Sequence, residues 1–210
     1  MSSDVSLDLL ALSIASYKLK GSYMRFINQF IITGLIYVVI FPFAAFAKTS
    51  ISVAYGEGDP DHLYGSRVAI QDYWPKTWSL LKNVDLSGYW DYSLAYWHTQ
   101  DKLTANQRDN VSIIALAPVF HIEGQSQSKL INPFFEASVG ASWMNHDTLG
   151  HRNLGAKFAF QDLLGVGFNF GTRNHLSLSY HFLHYSNANL FSSNEGIDIR
   201  YLLTLRYSIA

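Results

Sequence analysis

From Ile51 onward, apolar residues recur at every second position in short runs separated by polar or glycine-rich stretches. The clearest run is the last, where Ile197, Ile199, Tyr201, Leu203, Leu205, Tyr207 and Ile209 alternate with Asp198, Arg200, Thr204, Arg206 and Ser208, Leu202 being the one exception. Period two sends successive side chains to opposite faces and predicts a β-strand with one greasy face. The same reading predicts strands over Ile51–Tyr55, Leu63–Tyr73, Leu86–His98, Ser112–Ile122, Pro133–Trp143, Ala156–Phe170 and Leu176–Ser186. Gly56–Asp61, Asp101–Asn110, Glu123–Lys129, Met144–Asn153, Gly171–Asn174 and Asn187–Gly196 read as turns and loops. Three places are irregular. Pro118 removes a ladder donor and predicts a bulge. Gln161-Asp162 interrupts the sixth run. Gly165 and Gly167 predict a crowded interior or a bend. Trp74 and Trp78, around Pro75-Lys76, suit either interfacial anchors or packing at a barrel end.

The chain before these runs differs. Met24 and Arg25 precede an apolar stretch from Phe30 through Ile40 to Phe46, ending in Ala45-Phe46-Ala47. A charged start, an apolar middle and a small-x-small end predict a secretory signal peptide over 24–47, cut after Ala47. A single transmembrane anchor is the competing reading. Residues 1–23 carry no strong pattern and read as an overextended start or a leader, leaving 48–210 as the folded unit.

Composition narrows the class. Charged residues make up 15% of the chain, against about 25% in average soluble proteins. Aromatics are abundant, with 13 Tyr, 14 Phe and 5 Trp. The absence of cysteine excludes disulfides and thiolate metal sites. A net charge of −1 without a basic stripe argues against nucleic acid. His146 and His151 lack metal-ligand spacing, so neither a metal nor another cofactor is expected. Eight strands of about ten residues with aromatic-rich faces suit an all-β, eight-stranded antiparallel transmembrane β-barrel. No long apolar helix remains after the signal, so closure into a barrel is how such a chain could span a bilayer. A soluble lipocalin-like cup would bear the same periodicity with its apolar faces turned inward.

The candidate chemistry lies at the end of the seventh run. Leu176, Leu178, Tyr180 and Phe182 share one parity, and His184 and Ser186 continue it. Two residues of strand separate these two by roughly 6–7 Å. A base and a hydroxyl side by side on an apolar face suit nucleophilic catalysis, although the polar end of a strand would also house them. A serine–histidine pair needs a carboxylate to orient the imidazole. The nearest downstream are Glu195 and Asp198. By simple parity Asp198 falls on the polar side of its strand, so a bulge near Gly196 would have to re-aim it, or Glu195 takes the role.

His184-Tyr185-Ser186-Asn187-Ala188, followed by Asn194, Gly196-Ile197 and an acid at 198, resembles the lipid A 3-O-deacylase (PagL) family of Gram-negative outer membranes. The resemblance is strongest from Leu178 to Leu205. It implies an integral outer-membrane barrel with its site on the outer wall, near the headgroups. His184 would be the general base, Ser186 the nucleophile and Asp198 the orienting acid, with Glu195 as the alternative. Asn194 matches a position that helps form the oxyanion hole, and Asn187 belongs to the motif. The implied partners are lipid A or lipopolysaccharide as substrate and the surrounding outer-membrane lipids, with a homodimer left open. This chain departs from the family in having Asp198 where a glutamate stands, and Asn189 where a glycine is common. The rival classes are a non-enzymatic small outer-membrane barrel, a soluble lipid-binding barrel, and the family fold without its activity.

Overall fold

The computed structural model describes residues 48–58, 62–101, 107–124, 130–171 and 175–209. The expected leader and signal peptide, 1–47, lie outside the described residues. Among these, the alternating runs form β1 (Thr49–Gly58), β2 (Leu63–Tyr73), a short β3 (Trp78–Leu81), β4 (Val84–Thr99), β5 (Asn110–Gly124), β6 (Ile131–Met144), a two-residue hairpin of β7 (Thr148–Leu149) and β8 (Arg152–Asn153), β9 (Phe158–Phe170), β10 (Leu176–Ser186) and β11 (Ile197–Ile209). Eight of them pair antiparallel in the ring β1-β2-β4-β5-β6-β9-β10-β11. The ring closes where β1 meets β11. Closure leaves no open edge. β3 adds to the rim by pairing with the start of β4.

The alternation resolves with its apolar side outward. Ile51, Val53 and Tyr55 of β1, Leu164, Val166 and Phe168 of β9, and Leu178, Tyr180 and Phe182 of β10 are all exposed on the outer wall. Ser50, Ser52, Ser177, Ser179 and His181 are buried in the lumen. This excludes the soluble cup, whose apolar faces would point the other way. The barrel is therefore built to span a membrane, its greasy band facing lipid.

Side chains fill the lumen. Towards the end that carries the loops after β1, β4, β6 and β10 lies an apolar cluster that includes Leu63, Trp97, Ile113, Met144, Leu183, Tyr185, Ile197, Ile199 and Leu202. Towards the end where β1 starts and β11 finishes, Glu136 is fully buried and accepts hydrogen bonds from Arg206, Tyr89 Oη (2.9 Å), His121 Nδ1 (2.8 Å) and His181 Nε2 (3.0 Å). Short turns face the periplasm and longer loops the exterior in such barrels, so the apolar layer and its loops occupy the outer end.

Several expectations change in detail. Pro118 sits in no bulge: β4 and β5 stay in register through Trp90 and Pro118. On the other side the pairing with β6 passes from Leu116–Ala141 to Val119–Ser138 without a shift. The ladder lapses there, so the missing N–H is not required. β9 runs unbroken through Gln161 and Asp162. Gly165 faces a crowded interior, since a Cβ there would meet the His181 ring at 1.9 Å. Trp74 packs edge-on against Phe120, at 5.3 Å between centroids, whereas Trp78 stays exposed in β3.

Candidate active site on the outer wall

β10 keeps its parity to the end, so His184 and Ser186 project outward, in line with Phe182. The acid reaches them through an irregularity in β11. His181 pairs with Leu202, but Leu183 pairs with Ile199, which leaves one extra residue in β11 at Arg200–Tyr201. A one-residue insertion exchanges the faces of everything beyond it. Below this bulge Leu202, Thr204 and Arg206 point inward. Above it Ile197 and Ile199 point inward and Asp198 turns out. The bulge thus lies four residues downstream of the glycine where the parity argument placed it, and the uniform apolar face expected for 197–209 is in fact two faces. Tyr180 Oη donates to the carbonyl of Arg200 at 2.5 Å and satisfies the distorted backbone.

Asp198 stands directly across the ladder from His184. Its Oδ1 lies 2.5 Å from His184 Nδ1, and the two side chains are 32% and 31% exposed, open to the bilayer side. The carboxylate accepts, so Nδ1 carries the proton and Nε2 is left as the acceptor. Gly196 backs the ring. Its φ is +62°, and a Cβ there would stand 3.1 Å from His184 Cε1. Glycine is therefore required for both backbone conformation and space.

Glu195 is placed elsewhere. Its carboxylate accepts from the backbone N–H of Asn153, in the hairpin after β6. Asn194 and Asn187 come together in the loop after β10. Asn194 Oδ1 accepts from the backbone N–H of Asn187 (2.8 Å), and Asn194 Nδ2 donates to Asn189 Oδ1 (3.2 Å). The Asn187 side chain turns inward and donates to the carbonyls of Leu154 (2.7 Å) and Ser193 (2.5 Å). Asn189 has φ 59° and Ala188 φ 52°. Asparagine tolerates the left-handed region, so the chain follows the course a glycine at 189 would allow.

Asp162 is a residue the alternation obscured. It lies on the outward parity of β9 and pairs with His184 from the side opposite Asp198, giving the row Asp162–His184–Asp198 across three strands. The available signal was a carboxylate on a lipid-facing parity, which is costly unless it has a function. Among the described residues no group of three or more His, Asp or Glu side chains is placed to hold a metal ion.

A family model described as lipid A 3-O-deacylase (PagL) matches residues 64–208. The lipid A deacylase PagL of Pseudomonas aeruginosa is 33% identical over 132 residues, 63% of this chain and 71% of that protein. The lipid A deacylase PagL of Bordetella bronchiseptica is 33% identical over 66 residues, 31% of this chain and 36% of that one. The crystal structure of the outer membrane enzyme PagL superposes with a TM-score of 0.65 at 29% identity, covering 76% of this chain and 99% of that structure. With the family's model spanning most of the barrel and the barrel itself shared, the chain belongs to the lipid A 3-O-deacylase (PagL) family.

Proposed function

We propose that this outer-membrane lipid A 3-O-deacylase works as a serine esterase, with Ser186 as nucleophile, His184 as general base and Asp198 as the orienting acid. The observation that carries the reading is the 2.5 Å contact between Asp198 Oδ1 and His184 Nδ1 on the outer wall, on the same face as Ser186. Asp198 fixes the tautomer, and Nε2 is free to take the Ser186 proton. Ser186 Oγ attacks the ester carbonyl at the 3 position of the glucosamine, forming a C–O bond and a tetrahedral oxyanion. The amide of Asn194 and backbone N–H groups of the 188–189 turn supply preorganised donors to that oxygen. As the intermediate collapses, the ester C–O bond breaks and His184 returns its proton to the leaving sugar hydroxyl. Water, deprotonated by His184, then cleaves the acyl-enzyme and releases the 3-hydroxy fatty acid.

The setting matches the substrate. The exposed side chains of Tyr180 and Phe182 on β10 and Leu164 on β9 continue the site down the lipid-facing wall, where an acyl chain gains by apolar contact. Asp162 adds a second negative charge beside the imidazolium that forms when Ser186 loses its proton. The test is mass spectrometry of lipid A from Gram-negative cells expressing the chain. Ser186→Ala is expected to abolish loss of the 3-O-linked chain while the barrel still folds. An unchanged spectrum between parent and variant, with deacylation in both, rejects the nucleophile; no deacylation by the folded parent favours a non-enzymatic barrel.

A further inference from the structure

The loop after β10 does not hold its shape alone. The neighbouring hairpin of β7 and β8, and the residues that follow it, grip this loop along its length. Arg152 Nη1 donates to the carbonyls of Glu195 (2.9 Å) and Gly196 (2.5 Å). The backbone N–H of Asn153 donates to the Glu195 carboxylate. Ser193 Oγ donates to the carbonyl of Asn153 (2.9 Å), and the backbone N–H of Glu195 reaches the same oxygen (3.3 Å). Asn187 Nδ2 adds its bond to the carbonyl of Leu154 (2.7 Å). Gly155 lets the two loops approach. Its φ is +72°, and a Cβ there would stand 2.1 Å from the carbonyl oxygen of Ser193.

The held residues bracket the catalytic groups. Asn194 lies between Ser193 and Glu195, Gly196 abuts the His184 ring, and Asp198 follows two residues later. Ten residues of free loop would sample many conformations, and misplacing a catalytic group by about 1 Å can cost on the order of 100-fold in rate. We propose that the β7–β8 hairpin is a brace that preorganises the oxyanion side of the site, with Arg152 as its positioning residue. This rests on the serine-esterase reading above. Arg152 bonds carbonyls of the loop, not the ester, so it acts through the placement of Asn194, the residue before the held Glu195. The Glu195 carboxylate belongs to this brace and not to the triad.

The test uses the full outer-membrane protein, with purified lipid A in detergent micelles as substrate and heat-modifiable gel mobility as the check on folding. Arg152→Met is expected to lower kcat about 10- to 100-fold with KM nearly unchanged. Arg152→Lys, which can still donate to both carbonyls, should recover most of that loss. Gly155→Ala should give the same pattern without altering charge, and it decides the matter if Arg152→Met fails to fold. In an Asn194→Ala background the Arg152→Met loss should largely vanish, because the brace acts through that side chain. Losses that multiply independently, or folded Arg152→Met and Gly155→Ala proteins with parental kcat, overturn the brace. Ser186→Ala is run alongside: activity there sinks the esterase reading itself, whereas an inactive Ser186→Ala with Arg152→Met at parental kcat sinks only the brace.

Discussion

At Asp198 one methylene separates this chain from the glutamate its family carries. The acid still reaches the imidazole because it stands directly opposite His184 on the adjacent strand, with Oδ1 2.5 Å from Nδ1. Asp198→Asn preserves size but cannot hold Nδ1–H in the same way. It is expected to lower kcat by about 10,000-fold, the loss seen when the orienting acid of a triad is neutralised. Asp198→Glu restores the charge and should lose less than Asp198→Asn in the same rate assay of 3-hydroxy fatty acid release. Equal losses would mean that geometry, not charge, is what the position supplies. The other departure, Asn189, is absorbed by its left-handed backbone. A β-branched residue there would be strained.

Among the strands, β11 decides whether the proposed triad can form. Its extra residue at Arg200–Tyr201 turns Asp198 to the wall and Ile197 and Ile199 into the apolar lumen. Deleting Arg200 removes that residue and restores strict alternation, which drives Asp198 inward. Activity should then fall to the level of Asp198→Asn, while heat-modifiable mobility shows an intact barrel. Full activity in the deletion would mean that the loop after β10 had absorbed the change. Tyr180→Phe is the milder probe. It removes the hydroxyl that caps the Arg200 carbonyl, a bond of about 1 kcal/mol net, and is expected to reduce the rate several-fold.

For the whole barrel, stability and catalysis are separated by the wall. The site faces lipid, and the lumen behind it is an apolar plug. Buried charge sits in the Arg67–Asp91 pair and, towards the other end, at Glu136, which is enclosed by Arg206, Tyr89, His121 and His181. Removing one member of a buried ion pair leaves the other uncompensated, at a cost of about 3–5 kcal/mol. Glu136→Ala should therefore lower the urea midpoint of the detergent-solubilised barrel markedly, yet leave kcat per folded molecule near parental. A large fall in kcat without a change in the unfolding midpoint would show that the lumen communicates with the site.

Much of this protein was legible along the chain. Period-two alternation determined the eight strands of the ring, because every residue of a barrel strand faces either lipid or lumen, but not the short β3, β7 and β8. The parity of His184 and Ser186 with Phe182 placed both on the greasy face, and β10 keeps that parity throughout. The signs of the faces came from the tertiary structure, since a cup and a membrane barrel share the same period. So did the acid. The bulge leaves one trace along the chain, the apolar Leu202 on the polar parity, but only the pairing of Leu183 with Ile199 locates it. The brace was invisible for the same reason: Arg152 and Gly196 lie far apart in sequence and meet only when β9, β10 and β11 stand side by side, bringing their loops to one rim of a closed ring.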